Sequence, residues 1–186
     1  MFGNTCFLCV VILSWLCPGA VVATTPTHPD DPTAQYLGSF KIAIVGTENG
    51  TTCSDQVIVW QLSSGRTDYV LDPNAISISA PCTGIDGLST SALFSMLAQA
   101  AVTQGVAAGF SLCPANCSDG SLVRVYFPAC VNRTGSGCST SFPPCGSNYS
   151  TRDYTVCCPT SGTTLLTLLS SFCPSCTGVG CNSTCQ

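Results

Sequence analysis

Charge is scarce in this chain. Five basic and nine acidic side chains among 186 residues, 8%, leave a net charge of −4, where ordinary domains carry roughly 25% charged residues. There is no basic patch and no basic run, so nucleic acid and acidic membrane surfaces are poor partner candidates and no nucleic-acid partner is expected. Histidine is nearly absent as well. The one copy, His28, falls in a Pro/Thr-rich stretch and is expected to be solvated in a flexible arm. A single His offers no metal cluster and no base for a Ser or Cys nucleophile. Lys41, on a predicted strand, is the only lysine for a Ser–Lys pair, and Glu48 is the only glutamate. Asp55, Asp68, Asp72 and Asp86 mostly sit in turn signals, where Asp serves hydrogen bonding, so no carboxylate pair flanking a cleft stands out. Phosphate-loop, zinc-protease and calcium-loop motifs are missing too. The inventory predicts a protein that is not an enzyme and has no catalytic residue, metal or cofactor.

Cysteine, by contrast, is plentiful, with sixteen copies. Three of them, Cys6, Cys9 and Cys17, belong to an N-terminal stretch that reads as a secretory signal. Its apolar run is Phe7 to Leu16, Pro18-Gly19 breaks the run, and Val21-Val22-Ala23 supplies small residues before a cut placed after Ala23. The stretch departs from the usual pattern in carrying no Lys or Arg between Met1 and Thr5. The run is too short for a membrane anchor and no second apolar span follows, so no membrane span is expected.

Beyond residue 23 stand Cys53, Cys82, Cys113, Cys117, Cys130, Cys138, Cys145, Cys157, Cys158, Cys173, Cys176, Cys181 and Cys185. In an oxidising compartment these are read as disulfides. Their number is odd, so one lacks a partner within the chain and is free, lost in processing or bonded to another chain. Cys157 and Cys158 are adjacent on a predicted strand. Their side chains point to opposite faces, and their spacing resists mutual pairing, so they should tie two different neighbours to that strand. Cys173-x-x-Cys176 has the form of a redox or zinc half-site. It follows its predicted helix instead of opening it, the wrong end for a lowered thiol pKa, and Cys173, Cys176, Cys181 and Cys185 are read as structural disulfides.

Five N-glycosylation sequons accompany the cysteines: Asn49, Asn116, Asn132, Asn148 and Asn182. Asn116, with Cys117 in its middle position, and Asn182 are expected to be the least used. Thr24, Thr25, Thr27 and Thr33 are O-glycan candidates in the arm.

The element pattern predicts four segments: residues 1–23 as signal peptide, 24–35 as a Pro/Thr-rich arm, 36–110 as an α+β core segment, and 111–186 as a disulfide-rich segment that either continues that core or is joined to it. In the first core segment, Phe40, Ile42 and Ile44 alternate as a strand. Val57 to Leu62 is a strand apolar on both faces and therefore central. Asn49-Gly50 marks the hairpin between them. Tyr69-Val70-Leu71 and Ile76-Ser77-Ile78 read as short strands around an Asp72-Pro73-Asn74 turn. Leu88 to Gln104 reads as the main helix, with Leu93, Met96, Leu97, Ala100 and Ala101 on its apolar face. Asp86 or Ser89 would cap its start and Gly105 its end. The opposite stripe, Ser91, Ser95, Gln99 and Thr103, is polar without charge. Leu122 to Ala129 and Tyr154 to Cys158 read as strands, and Leu165 to Phe172 as a short amphipathic helix. The expected fold is α+β, a small antiparallel sheet with one main helix, joined to a disulfide-rich β segment ending in that short helix.

An odd cysteine count, scarce charge and an uncharged helix stripe favour a secreted structural protein, a subunit of an extracellular matrix, coat or filament whose partners are copies of itself or other extracellular proteins. The alternative is a monomeric recognition module, such as an inhibitor, lectin-like protein or effector, in which disulfides hold rigid binding loops.

Overall fold

The structure is a computed structural model that describes residues 26–45, 52–79, 84, 86–160 and 163–185. The predicted signal peptide and its expected cut, Thr24, Thr25, the expected hairpin tip with Asn49, and Cys82 lie outside the described residues.

The fold is α+β, with a six-stranded sheet in the order β1-β2-β3-β4-β6-β7. These strands are β1 (Gln35–Val45), β2 (Thr52–Gln61), β3 (Thr67–Ser79), β4 (Ser121–Pro128), β6 (Tyr149–Thr160) and β7 (Thr163–Phe172). Two short strands, β5 (Cys130–Val131) and β8 (Asn182–Ser183), pair as a separate small sheet. The large sheet is mixed rather than antiparallel. β3 and β4 run parallel, with Tyr69 opposite Val125, and the chain crosses between them through the helix α1 (Thr90–Ala107). A parallel pair requires such a crossover, and the pattern strand–helix–strand from 67 to 128 was its sequence signal. Strands from both sides of residue 110 therefore share one sheet.

Two further expectations are corrected. Asp72-Pro73-Asn74 does not separate two strands, because β3 runs through it. Asp72 is opposite Gln56 and Ser77 opposite Ser54, so Asp55 alone faces the four residues 73–76. The Asp72 carboxylate accepts the Asn74 N–H at 3.0 Å. The turn chemistry is present, but it makes a bulge within a strand. The second correction concerns Leu165 to Phe172, which is not a helix but most of β7. Leu165, Leu166, Leu168, Leu169 and Phe172 do follow helical spacing. However, Thr163, Thr164 and Thr167 favour strand, and β6 supplies a pairing partner along the whole length.

α1 packs on one face of the sheet. Its buried stripe is Leu93, Phe94, Leu97, Ala98, Ala101, Val102 and Gly105, rotated from the predicted face so that Met96 and Ala100 lie at its half-buried margin. The stripe meets Val57, Val59, Tyr69, Val123, Val125 and Phe127 in one core that also takes in Val131, Phe142 and Val156 from the cysteine-rich part. That part contributes to the core instead of relying on bridges alone. Ser89 caps α1 by accepting the Ala92 N–H at 3.1 Å, while Asp86 accepts the Gly137 N–H at 3.0 Å. Gly105 does not end the helix. It is buried inside it, against the ring of Tyr69, where a Cβ would come within 2.5 Å.

The opposite face is covered by the arm, and here His28 departs from its expected role. It is buried. Its Nδ1 accepts the backbone N–H groups of Asp30 and Asp31 at 3.2 and 2.9 Å. That leaves the proton on Nε2, which donates to Asp68 at 3.1 Å. Trp60 and Tyr126 make edge contacts with the ring. The arm from residue 26 to 34 is thus strapped across β2, β3 and β4 by a side chain that hydrogen-bonds on both sides.

Five disulfides join described residues in two groups. Cys113–Cys158 and Cys117–Cys157 pin the loop after α1 to the end of β6. Cys130–Cys176, Cys145–Cys181 and Cys173–Cys185 fasten residues 173–185 beside β5. Cys138 is also disulfide-bonded. Cys157 and Cys158 reach two different cysteines, both in one short loop. Cys173 and Cys176 take separate partners, so they are not a dithiol pair. Cys53 is free and buried.

Candidate functional site

The two edges of the large sheet are finished differently. At β1, the outward N–H and C=O of Ala43 are both engaged by one side chain from α1: Gln104 Oε1 accepts the N–H at 3.2 Å, and Gln104 Nε2 donates to the C=O at 2.7 Å. A primary amide presents a donor and an acceptor at the spacing of a peptide unit, so Gln104 stands where another strand would pair. This explains one uncharged polar residue of α1. Gln99 and Thr103 of the same stripe remain exposed, and Thr103 Oγ1 donates back to the Gln99 carbonyl at 3.0 Å.

β7 has no such cover. Among the described residues, the backbone of 163–172 bonds only to β6. The strand is ten residues long, against the usual five to six, and carries neither charge nor proline, the common devices that blunt an edge. Leu165, Leu168, Leu169 and Phe172 are 47%, 52%, 55% and 63% exposed. Leu168 lies opposite Tyr154, on the helix side. Leu165 and Phe172 lie opposite Cys157 and Thr151, on the other side. Leu169 is the extra residue where the register shifts between Ser170 and Leu168. Apolar side chains therefore project from both faces of an unpaired edge.

The few charges of the chain are mostly used within the fold. Arg66 holds Asp68 bidentately at 2.6 and 2.8 Å, and Asp68 is shared with His28. Arg124 holds Asp153 in the same fork, and Ser170 of β7 donates to Asp153 at 2.9 Å. Hydrogen bonding from Arg124 lowers the Asp153 pKa below the usual carboxylate value. The Arg124–Asp153–Ser170 contacts stitch β4, β6 and β7 on the arm side, while Arg66 and His28 converge on Asp68 of β3.

Comparison with protein-family models finds no match, and comparisons with curated proteins and with solved structures find none either.

Of the remaining predicted sites, Asn116, Asn148 and Asn182 are exposed and Asn132 is half-buried. Asn116 is partly occupied, because its Oδ1 accepts the Ser118 N–H and its Nδ2 donates to Asp119. Thr27 and Thr33 of the arm are exposed. Cys53 is the odd thiol among the described residues. Burial, with Asp55 adding a smaller contribution, pushes its pKa up to about 12, so it stays a protonated thiol out of reach of another chain. No described helix is long and apolar enough to cross a membrane. Five disulfides suit an oxidising compartment.

An open groove of about 700 Å³ lies at the other end of β3 and β4. Leu37, Arg66, Phe110, Leu112 and Leu122 line it, and Leu112 is 81% exposed.

Proposed function

We propose that this chain is a secreted, N-glycosylated, disulfide-held structural protein that enters an extracellular assembly through the β7 edge. The contrast between the two edges carries this reading: on β1 the outward N–H and C=O of Ala43 are taken by Gln104, while β7 is long, uncharged and apolar on both faces. The simplest association through β7 is antiparallel pairing with β7 of a second copy. Such a contact is two-fold and closes at a dimer. A filament built by strand addition would need a second open edge, and Gln104 obstructs pairing on β1 at Ala43. The dimer is therefore the assembly unit, and we infer non-covalent association because the one free thiol among the described residues, Cys53, is buried.

The test is the mass of glycosylated, disulfide-intact protein by size exclusion with light scattering. The expected result is a dimer that runs as a monomer on a non-reducing denaturing gel. Leu169→Lys places a charge on the edge and should weaken the dimer at least tenfold with little change in monomer stability. A monodisperse monomer across micromolar concentrations would overturn the reading. It would favour a recognition module instead, for which the groove beside Leu112 is the supporting observation.

A further inference from the structure

The chain has four arginines and one lysine. Arg66 and Arg124 hold carboxylates in two-pronged contacts, Arg133 lies 4.0 Å from Asp86, and Lys41 is exposed to water. Arg152 alone is both buried, at 6% exposure, and without a carboxylate among the described residues. It donates one hydrogen bond, to Ser95 of α1. Its Nε is buried with no partner. The Phe127 ring, 5.5 Å away, offers a cation–π contact, which compensates only part of the lost hydration. A buried guanidinium without a counter-charge is strongly unfavourable.

The surroundings make the deficit specific. Ser150, Arg152 and Tyr154 alternate along β6 and project on one face of the sheet. All three are buried. The Ser150 Oγ and Arg152 Nε have no hydrogen-bond partner, and the Tyr154 hydroxyl lies against Arg152, whose proximity partly offsets the burial that raises the tyrosine pKa. Ser95 accepts from Arg152, so its own O–H remains available as a donor. Ser171 of β7 stands opposite Arg152 in register. Donors and one positive charge are gathered between α1, β6 and β7, and no acceptor of opposite charge is among them. Water can satisfy a hydroxyl, but it does not neutralise a guanidinium.

We propose that Arg152, with Ser95, Ser150 and Tyr154, forms a binding site for a small oxyanion or carboxylate group. The planar guanidinium fork matches both chemistries, and the hydroxyls supply the further donors that an anion needs once removed from water.

The experiment uses glycosylated, disulfide-intact protein. Unfolding midpoints are recorded against sodium sulfate and against sodium acetate, each at constant ionic strength, for the wild type and Arg152→Gln. General salt effects are common to both proteins, so the difference reports the site. The expected result is a saturable rise in the wild type whose apparent affinity falls at least tenfold in Arg152→Gln. Preference for acetate assigns a carboxylate ligand, preference for sulfate a tetrahedral oxyanion, and either upholds the site. Identical anion responses in the two proteins would overturn it. Should Arg152→Gln fail to fold, Ser95→Ala and Tyr154→Phe decide: each is expected to weaken anion binding several-fold, and unchanged affinity in both overturns the proposal.

Discussion

A methyl group at Gly105 would have to displace the Tyr69 ring, whose nearest atoms lie 2.5 Å from where that carbon would stand. The ring is itself held, since its hydroxyl is hydrogen-bonded to Ser111 and Phe40 packs on its edge. Gly105→Ala is therefore expected to destabilise the protein by about 1–3 kcal/mol despite the better helix propensity of alanine, read by urea unfolding at intact disulfides. Asp55 poses a different local problem. It is the single residue facing the β3 bulge, its Oδ2 is buried without a partner, and burial raises its pKa to about 8, with nearby Asp72 adding to the rise. In the unfolded chain it ionises near its ordinary value of about 3.9; in the folded chain it keeps its proton until about 8. The stabilisation from the protonated form is whole below pH ~4 and is lost as pH rises to about 8. Stability should thus decline over that window and level off above it. Asp55→Asn, which cannot ionise, should flatten the decline; equal slopes in the two proteins would refute the assignment.

At the scale of elements, the prominent hazard is an edge. Gln104→Ala leaves Ala43 with an open donor and acceptor, so a small loss of about 0.5–1.5 kcal/mol is expected, together with species larger than a dimer in light scattering. The larger species matter more, because they would show that Gln104 restricts growth at β1. The bridges at the end of β6 act on the same scale. Replacing Cys113 and Cys158 together by Ser should cost about 2–4 kcal/mol, measured as a shift in denaturant midpoint, with Cys117–Cys157 still holding the loop. β7 shows where one-dimensional reading fails. Its leucines satisfy a helical period, and only the surrounding threonines and the Ser161-Gly162 dipeptide, a hairpin signal, argued for a strand. β1, β4 and the start of α1 were legible because alternation and a serine cap are local signals. The strand–helix–strand order implied the direction of β3 on β4, but not their register, since nothing in either strand records which residue of its partner it faces.

For the whole molecule, composition was the most informative signal, and the site was the least legible part. The cysteines declared a bridged fold, but the bridges between described residues join positions up to 46 residues apart and no spacing rule gives them. His28 looked idle because its partner, Asp68, lies forty residues on and is placed under the arm only once β3 is in the sheet. Arg152 looked like one more surface arginine; its isolation becomes visible only when the carboxylates of the described residues have been placed elsewhere. The two groups of bridges also set a schedule for a chain made from its N-terminus. Cys113 and Cys117 find Cys158 and Cys157 once β6 is in place. Cys130 and Cys145 take partners, Cys176 and Cys181, that lie further along the chain, so they wait longer as thiols. During that interval they stand beside formed neighbours, and the yield of correctly oxidised protein depends on an isomerase to undo premature pairs.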